Sequence, residues 1–341
     1  MRLGVLTAPF HDAPLEDTLD LLADAGVEAV ELGTGNYPGN DHCDPDELLG
    51  DVDARRRLAA LVESRGLFIS ALSQHGNPLH PQAPIADAAH DTWRKTVELA
   101  SALEVPVVNA FSGCPGDSPG SLWPNWAVCS WPDDYLHVLE WQWNERAIPY
   151  WQAEEEFARR HGVKIAIEMH TGFVVYNPET LLRLRAATGP NLGANFDPSH
   201  LWWQGIDAAE AVSLLAAGEA IFHVHAKDTQ LDEAVIRRKG VLDTEPHEHV
   251  GERAWSFRTL GYGHDEKTWR DILSRLQLAG YDYVVSIEHE DELLATGDAI
   301  AKAIDFLRGV LPRGTDEGPV PTGRNGSALG RGAPRSKEEA R

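Results

Sequence analysis

Eight short apolar runs, each followed by a longer amphipathic stretch, constrain this chain more than any other feature. The runs cover residues 3–7, 28–32, 67–72, 105–110, 163–168, 192–197, 221–225 and 283–288. Their length and β-branched content predict strands buried on both faces. The stretches between them predict helices over 15–25, 53–65, 87–103, 135–161, 178–187, 208–217, 267–279 and 298–310, with apolar residues at helical spacing such as Leu15, Leu19 and Leu22. Gly26, Gly66, Gly162 and Gly280 stand just before strands, where a left-handed helix cap falls. Repeats of this kind predict an α/β chain closed into a (β/α)8 TIM barrel, and 341 residues suit one such unit. An open doubly wound sheet is disfavoured, because no Gly-x-Gly-x-x-Gly follows the first run.

Two connections exceed ordinary βα loops: residues 111–133 after the fourth strand and 226–265 after the seventh. The first belongs to a Trp-rich insertion, since six of the eleven tryptophans fall within residues 123–151. Those rings either pack the fourth helix and its loop onto the barrel, or form an aromatic wall at the barrel mouth or a subunit contact. Beyond the barrel domain, residues 1–311, periodicity stops, and ten of the thirty residues 312–341 are Gly or Pro, which predicts a disordered tail.

Thirty basic residues against fifty-three acidic ones leave a formal charge of −23, which repels nucleic-acid phosphates and anionic lipid. No apolar run reaches the ~18 residues of a membrane span. The first residues enter an apolar strand with no secretory signal, and Cys43, Cys114 and Cys129 lack CxxC spacing. The expected location is the cytoplasm, with neither nucleic acid nor membrane as a partner.

In such a barrel the active site is built at the C-terminal ends of the strands. The residues at or near the predicted ends are Glu31, Gln74 with His75, Asn109, Glu168, Asp197, His225 and Glu288. One acid ending a strand means little. Compatible ligands at the last four strands, in the order Glu, Asp, His, Glu, are far more specific, and the fold would gather them from separations of 29, 28 and 63 residues. Three carboxylates and one imidazole favour Mn2+, Mg2+ or Co2+, with Mn2+ first.

The segments Ile167-Glu168-Met169-His170, Asn195-Phe196-Asp197-Pro198-Ser199-His200, Phe222-His223-Val224-His225-Ala226-Lys227-Asp228 and Ile287-Glu288-His289 resemble the sugar phosphate isomerase/epimerase family of xylose-isomerase-like TIM barrels. The resemblance implies that Glu168, Asp197, His225 and Glu288 hold one divalent ion and that His200 contacts substrate. His223 and His225 share parity along their strand, and the family's His-x-x-Asp pattern selects His225, leaving His223 as a core histidine one layer deeper. The remaining candidates are His170 as a base or substrate ligand, and His75, Asn109, Glu31, Trp126 and Lys227 as substrate contacts. Endonuclease IV shares the barrel, but Trp255 and Phe257 stand where it needs an Asp-x-His pair, which with the charge disfavours DNA repair.

The implied chemistry is proton abstraction beside a carbonyl through a metal-stabilised enediolate, with Glu168 and Glu288 as acid and base. Proton return then gives a sugar epimer or isomer, and loss of a leaving group gives a dehydratase or lyase. The Trp-rich block also looks like that of metal-binding subunits of bacterial C-glycoside deglycosidases, which act on 3-oxo-glycosides with a small β-sandwich partner subunit. A homo-oligomer and a non-catalytic sugar-binding barrel complete the alternatives.

Overall fold

Apolar residues in unbroken runs cannot alternate between core and water, so each run is buried on both faces. The computed structural model describes residues 1–312 and contains ten strands among them. They are β1 (Arg2–Leu6), β2 (Ala29–Asn36), β3 (Phe68–His75), β4 (Val107–Phe111), β5 (Lys164–Glu168), β6 (Leu192–Phe196), β7 (Ile221–Ala226), β8 (Asp228–Leu231), β9 (Trp255–Arg258) and β10 (Val284–Ile287). Strands β1 to β7 and β10 close a parallel barrel in chain order, and β10 pairs with β1 from Arg2↔Val284 to Val5↔Ile287. Helices cover the outside, completing the expected (β/α)8 TIM barrel. The expected tail lies, apart from Pro312, outside the described residues. No helix among those residues is long and apolar enough to cross a membrane.

Three expectations need correction. Strand β2 does not stop at Leu32: it stays paired with β3 as far as Asn36↔His75, which puts Glu31 in mid-strand. A Cβ at Gly33 would lie 2.7 Å from the Gly39 carbonyl oxygen, so the glycine serves a close backbone approach within the strand. The single helix expected over 135–161 is two, Asp134–Trp141 and Ile148–Arg160, joined by a π-helical turn over Gln142–Ala147. Pro149 has no N–H to continue the ordinary ladder there, and wider bonding carries the helix past it. Inside the turn, Gln142 Nε2 donates to the carbonyls of Gly116 (2.9 Å) and Asn125 (2.7 Å), which ties the Trp-rich insertion to the helix.

The connection after β7 is also not plain loop. Strands β8 and β9 pair antiparallel within it, and Asp232 caps a helix over Glu233–Lys239 by accepting from Ala234 N and Val235 N. The tryptophans of the insertion divide by burial. Trp143 and Trp151 are buried in the core, Trp126 is half-buried at the barrel mouth, and Trp123 and Trp131 are exposed.

Candidate metal centre

Strands β5, β6, β7 and β10 bring Glu168, Asp197, His225 and Glu288 together at their C-terminal ends, each with a ligand atom within 4.8 Å of the others. Glu168 closes β5, Asp197 follows β6, His225 lies in β7 and Glu288 follows β10. Beside them is a hollow of about 190 Å³ whose lining includes His75, Phe111, Glu168, His170, Lys227 and Glu288.

Each ligand candidate is oriented by neighbours. Glu168 Oε1 faces His200 Nε2 at 3.1 Å, and its Oε2 accepts from Asn195 Nδ2 at 2.9 Å, with His75 Nε2 at 3.2 Å. Asp197 Oδ1 accepts from the backbone N–H of Ser199. His225 Nε2 lies 2.9 and 3.0 Å from the two oxygens of Glu31, which leaves Nδ1 facing Glu168 and Glu288, each at 3.1 Å. A carboxylate behind a histidine in this way selects its tautomer and holds its ring.

The electrostatics follow from burying many carboxylates together. Burial would raise Glu168, but His75, His200 and His225 outweigh it and hold the carboxyl well below its ordinary range. Asp197 is lowered against the same burial by Lys227 and His200. His200 is pushed down by burial and Lys227, yet Asp197 and Glu168 raise it to about 9. His225 is raised well above the usual imidazole value by Glu31 and Glu288 in spite of burial. Lys227 is the nearest fixed cation, 2.7 Å from Glu288 Oε2 and 3.2 Å from Asp197 Oδ2, and these acids with Glu290 keep it charged despite burial.

The donor set fits one divalent cation. Three carboxylates and one imidazole each turn a ligand atom to the same point, and carboxylates this close need positive charge. Nδ1 of His225 is the ring atom turned toward the carboxylates.

The other sequence-selected residues divide into two groups. His75, His170, His200 and Lys227 surround the carboxylates. His170 packs against His200 at 4.1 Å between centroids with the rings tilted by 51°, and burial, with His200, holds it well below its ordinary value and so neutral. Trp126 lies off the cluster, edge-on to Tyr176. Glu31 and Asn109 are wholly buried beneath the ligands, so the substrate contacts expected of them are corrected. Glu31 is committed to His225, Ser73 and Asn109 Nδ2, and Asn109 also meets His223 Nδ1 at 3.2 Å. Strand parity places a side chain on a face, but the layer it occupies depends on where the strand ends, and β2 runs past its expected end.

His223 lies in the same lower layer, with Nδ1 3.2 Å from Asn195 Oδ1 and its ring wholly buried. His223→Ala is expected to cost about 2–4 kcal/mol by stranding Asn109 and Asn195, with metal binding largely kept. His225→Ala should do the reverse and lose the metal, as melting curves and metal analysis would show. Burial lowers His223 to about 4. The unfolded chain therefore takes up the proton first, and metal-stripped protein should lose up to about 3 kcal/mol as pH falls from 6.5 toward 4. That part of the pH slope should vanish in His223→Gln, by thermal melts across the same range. Glu31→Gln should weaken metal binding by about 10–100-fold, read by calorimetric titration, because it disturbs the tautomer of His225.

Asp228, wholly buried, has a role that sequence reading missed. Its Oδ2 accepts from the backbone N–H groups of Gly261, Gly263 and His264, and Oδ1 faces His264 Nδ1 at 2.8 Å. The acid of His-x-x-Asp thus pins a turn, while His264 stacks on Trp202 at 3.8 Å.

A closed parallel barrel with a carboxylate–histidine cluster at its C-terminal mouth defines a class of protein, and comparison identifies the family. Residues 19–310 match the model of the xylose isomerase-like TIM barrel, and the chain belongs to that family. It is 37% identical over 311 residues to the uncharacterized protein YfiH of Bacillus subtilis (strain 168), covering 90% of this chain and 98% of that one. Its fold is similar to that of a D-tagatose 3-epimerase-like protein, with TM-score 0.62, 21% identity, and coverage of 91% of this chain and 98% of the other. The IOLI protein, solved with a binding zinc atom, gives TM-score 0.63 and 19% identity, with coverage of 91% and 98%.

Proposed function

We propose that this chain is a divalent-metal-dependent sugar isomerase or epimerase that removes a proton from the carbon beside a carbonyl. The observation that carries this reading is the convergence of Glu168, Asp197, His225 and Glu288 beside a hollow at the barrel mouth that Glu168 and Glu288 line. The epimerase-like name of one structural neighbour and the zinc of another lend support. In this reading the four residues hold the cation, Mn2+ by the oxygen-rich donor set. When bound, such an ion supplies Lewis-acid polarisation of the substrate carbonyl.

The chain's own groups would do the rest. Glu288 is 12% exposed against 2% for Glu168, so a carboxylate oxygen of Glu288 is the more open acceptor for the substrate proton. Glu168 would return a proton, to the opposite face for an epimer or to the adjacent carbon for an isomer. Lys227 steadies the charge of Glu288, His200 holds Glu168 from behind, and neutral His170 lines the hollow. Substrate deuterium at the reacting carbon should therefore wash into solvent only when metal is present. Full retention of label in a turned-over product would defeat the reading in favour of hydride transfer. The test uses free ketoses, sugar phosphates and 3-oxo-glycosides with added Mn2+.

A lyase outcome, as in C-glycoside deglycosidase subunits, shares the first proton transfer, and the Trp-rich block favours it as the second reading. Product analysis separates the two. Co-purification of a small β-sandwich protein would favour the lyase.

A further inference from the structure

The opposite end of the barrel holds a hollow of about 760 Å³, within the roughly 300–1,000 Å³ of common small-molecule sites. Its lining includes Lys164, Arg185, Glu219, Phe222, Tyr281 and Tyr283. These come from the start of β5, the end of the helix over Pro178–Thr188, β7, and the turns before β7 and β10. Lys164 opens β5 and Glu168 closes it, so the hollow and the metal centre stand at the two ends of one strand, on the order of 13 Å apart. The N-terminal end of such a barrel ordinarily serves stability and not chemistry.

The charge here departs from the rest of the chain. Of the six lysines among the described residues, five have a carboxylate within 4.0 Å, and Lys164 alone has none. Lys164 shares a face of β5 with Ala166, which packs with Ala71 and Val107 against Phe222 and Tyr283. Its exposed side chain brings Nζ to 4.8 Å from the centre of the Phe222 ring. Arg185 stands over the same ring, with Cζ 5.6 Å from its centre. Arg185 donates to the carbonyls of Pro190 (2.7 Å), Leu192 and Glu219 (3.2 Å), which hold it in place and leave its charge uncancelled. Of the acids at the rim, Asp282 is taken by the N-terminal amine at 2.6 Å, and Glu219 is exposed. Tyr281 and Tyr283 donate their hydroxyls to the carbonyls of Val284 (2.6 Å) and Ser70 (2.8 Å), so both rings are fixed as walls.

We propose that this hollow binds a small organic anion, a phosphate ester or a carboxylate, with its charge at Lys164 and Arg185 and its carbon skeleton against Phe222 and Tyr283. Two cations beside one ring leave positive charge for a guest to meet, and the rings offer it apolar faces. The chain's net charge of −23 does not forbid this, because charges more than about 8 Å away are largely screened at physiological salt and the local pair decides. The site stands apart from the metal-site reading and does not rest on it.

The test titrates the Mn2+-loaded full chain by calorimetry with phenyl phosphate, phthalate, phenol and inorganic phosphate. Phenyl phosphate or phthalate should bind at least about tenfold more tightly than phenol or inorganic phosphate, and the tighter of the two names the anion the site takes. Lys164→Gln should weaken that binding by about tenfold, whereas Lys164→Arg should keep it within about threefold. Glu219→Gln removes the rim acid and should tighten binding by about two- to threefold. Asp197→Ala, at the other end of the barrel, should leave anion binding unchanged while the metal is lost.

The inference is overturned if neither organic anion binds, if phenol or inorganic phosphate binds as tightly, or if the parent and Lys164→Gln bind alike. Loss of anion binding together with the metal in Asp197→Ala would put the anion at the metal centre and overturn it too. Should melting curves show that Lys164→Gln does not fold, Glu219→Gln decides, and binding no tighter than the parent's in that variant sinks the site.

Discussion

Glu288→Gln is expected to lower turnover by about 10²-fold or more while part of the metal stays bound. Gln keeps the shape of the side chain and one oxygen for the cation but cannot take a proton. The same change at Glu168 tests the returning group. Since Glu288 is the more open carboxylate, its variant should also abolish washout of substrate deuterium, whereas Glu168→Gln should allow some exchange but little product. Single-turnover kinetics with labelled substrate would read both. Normal turnover in both variants would remove these carboxylates from proton transfer altogether.

Asp197→Ala should weaken metal binding by more than about 100-fold, since it deletes a ligand and not merely a supporting neighbour. Asp197 Oδ2 is enclosed and turned toward the other carboxylates, with Lys227 Nζ at 3.2 Å and His200 Nε2 at 3.3 Å as the cationic groups beside it. Elemental analysis after dialysis gives the readout, and full occupancy in the variant would end the assignment. Because Asp197 also accepts from the Ser199 N–H, Asp197→Asn provides the control. The amide can keep that bond and the fold, yet it lacks the charge that holds a cation, so metal should be lost with little change in melting temperature.

Much of this was legible in the chain because the barrel imposes a simple rule. Continuous apolar runs must be buried on both faces, so they become parallel strands, and residues at their ends meet whatever their separation in sequence. Glu168, Asp197, His225 and Glu288 could be picked out on that ground, and a short motif separated His225 from His223, which shares its parity. What a linear reading could not supply was depth and pairing across the barrel. Glu31 looked like a strand end because the apolar run stops at Leu32; only its pairing with β3 shows that β2 continues and that Glu31 lies under His225. Asp228 carried no local sign that it would gather the N–H groups of a turn more than thirty residues away.

The sequence by itself determined the alternation of strands and helices, and with it the barrel and the rim where polar residues collect. Local spacing and burial suffice for that, since each strand needs only to be apolar and each helix only to have one apolar face. The tertiary structure decided which polar residue reaches the cluster, and which one lies beneath it and holds it in place. Those outcomes depend on register, closure and the packing of segments far apart in the chain, and no short stretch of residues encodes them.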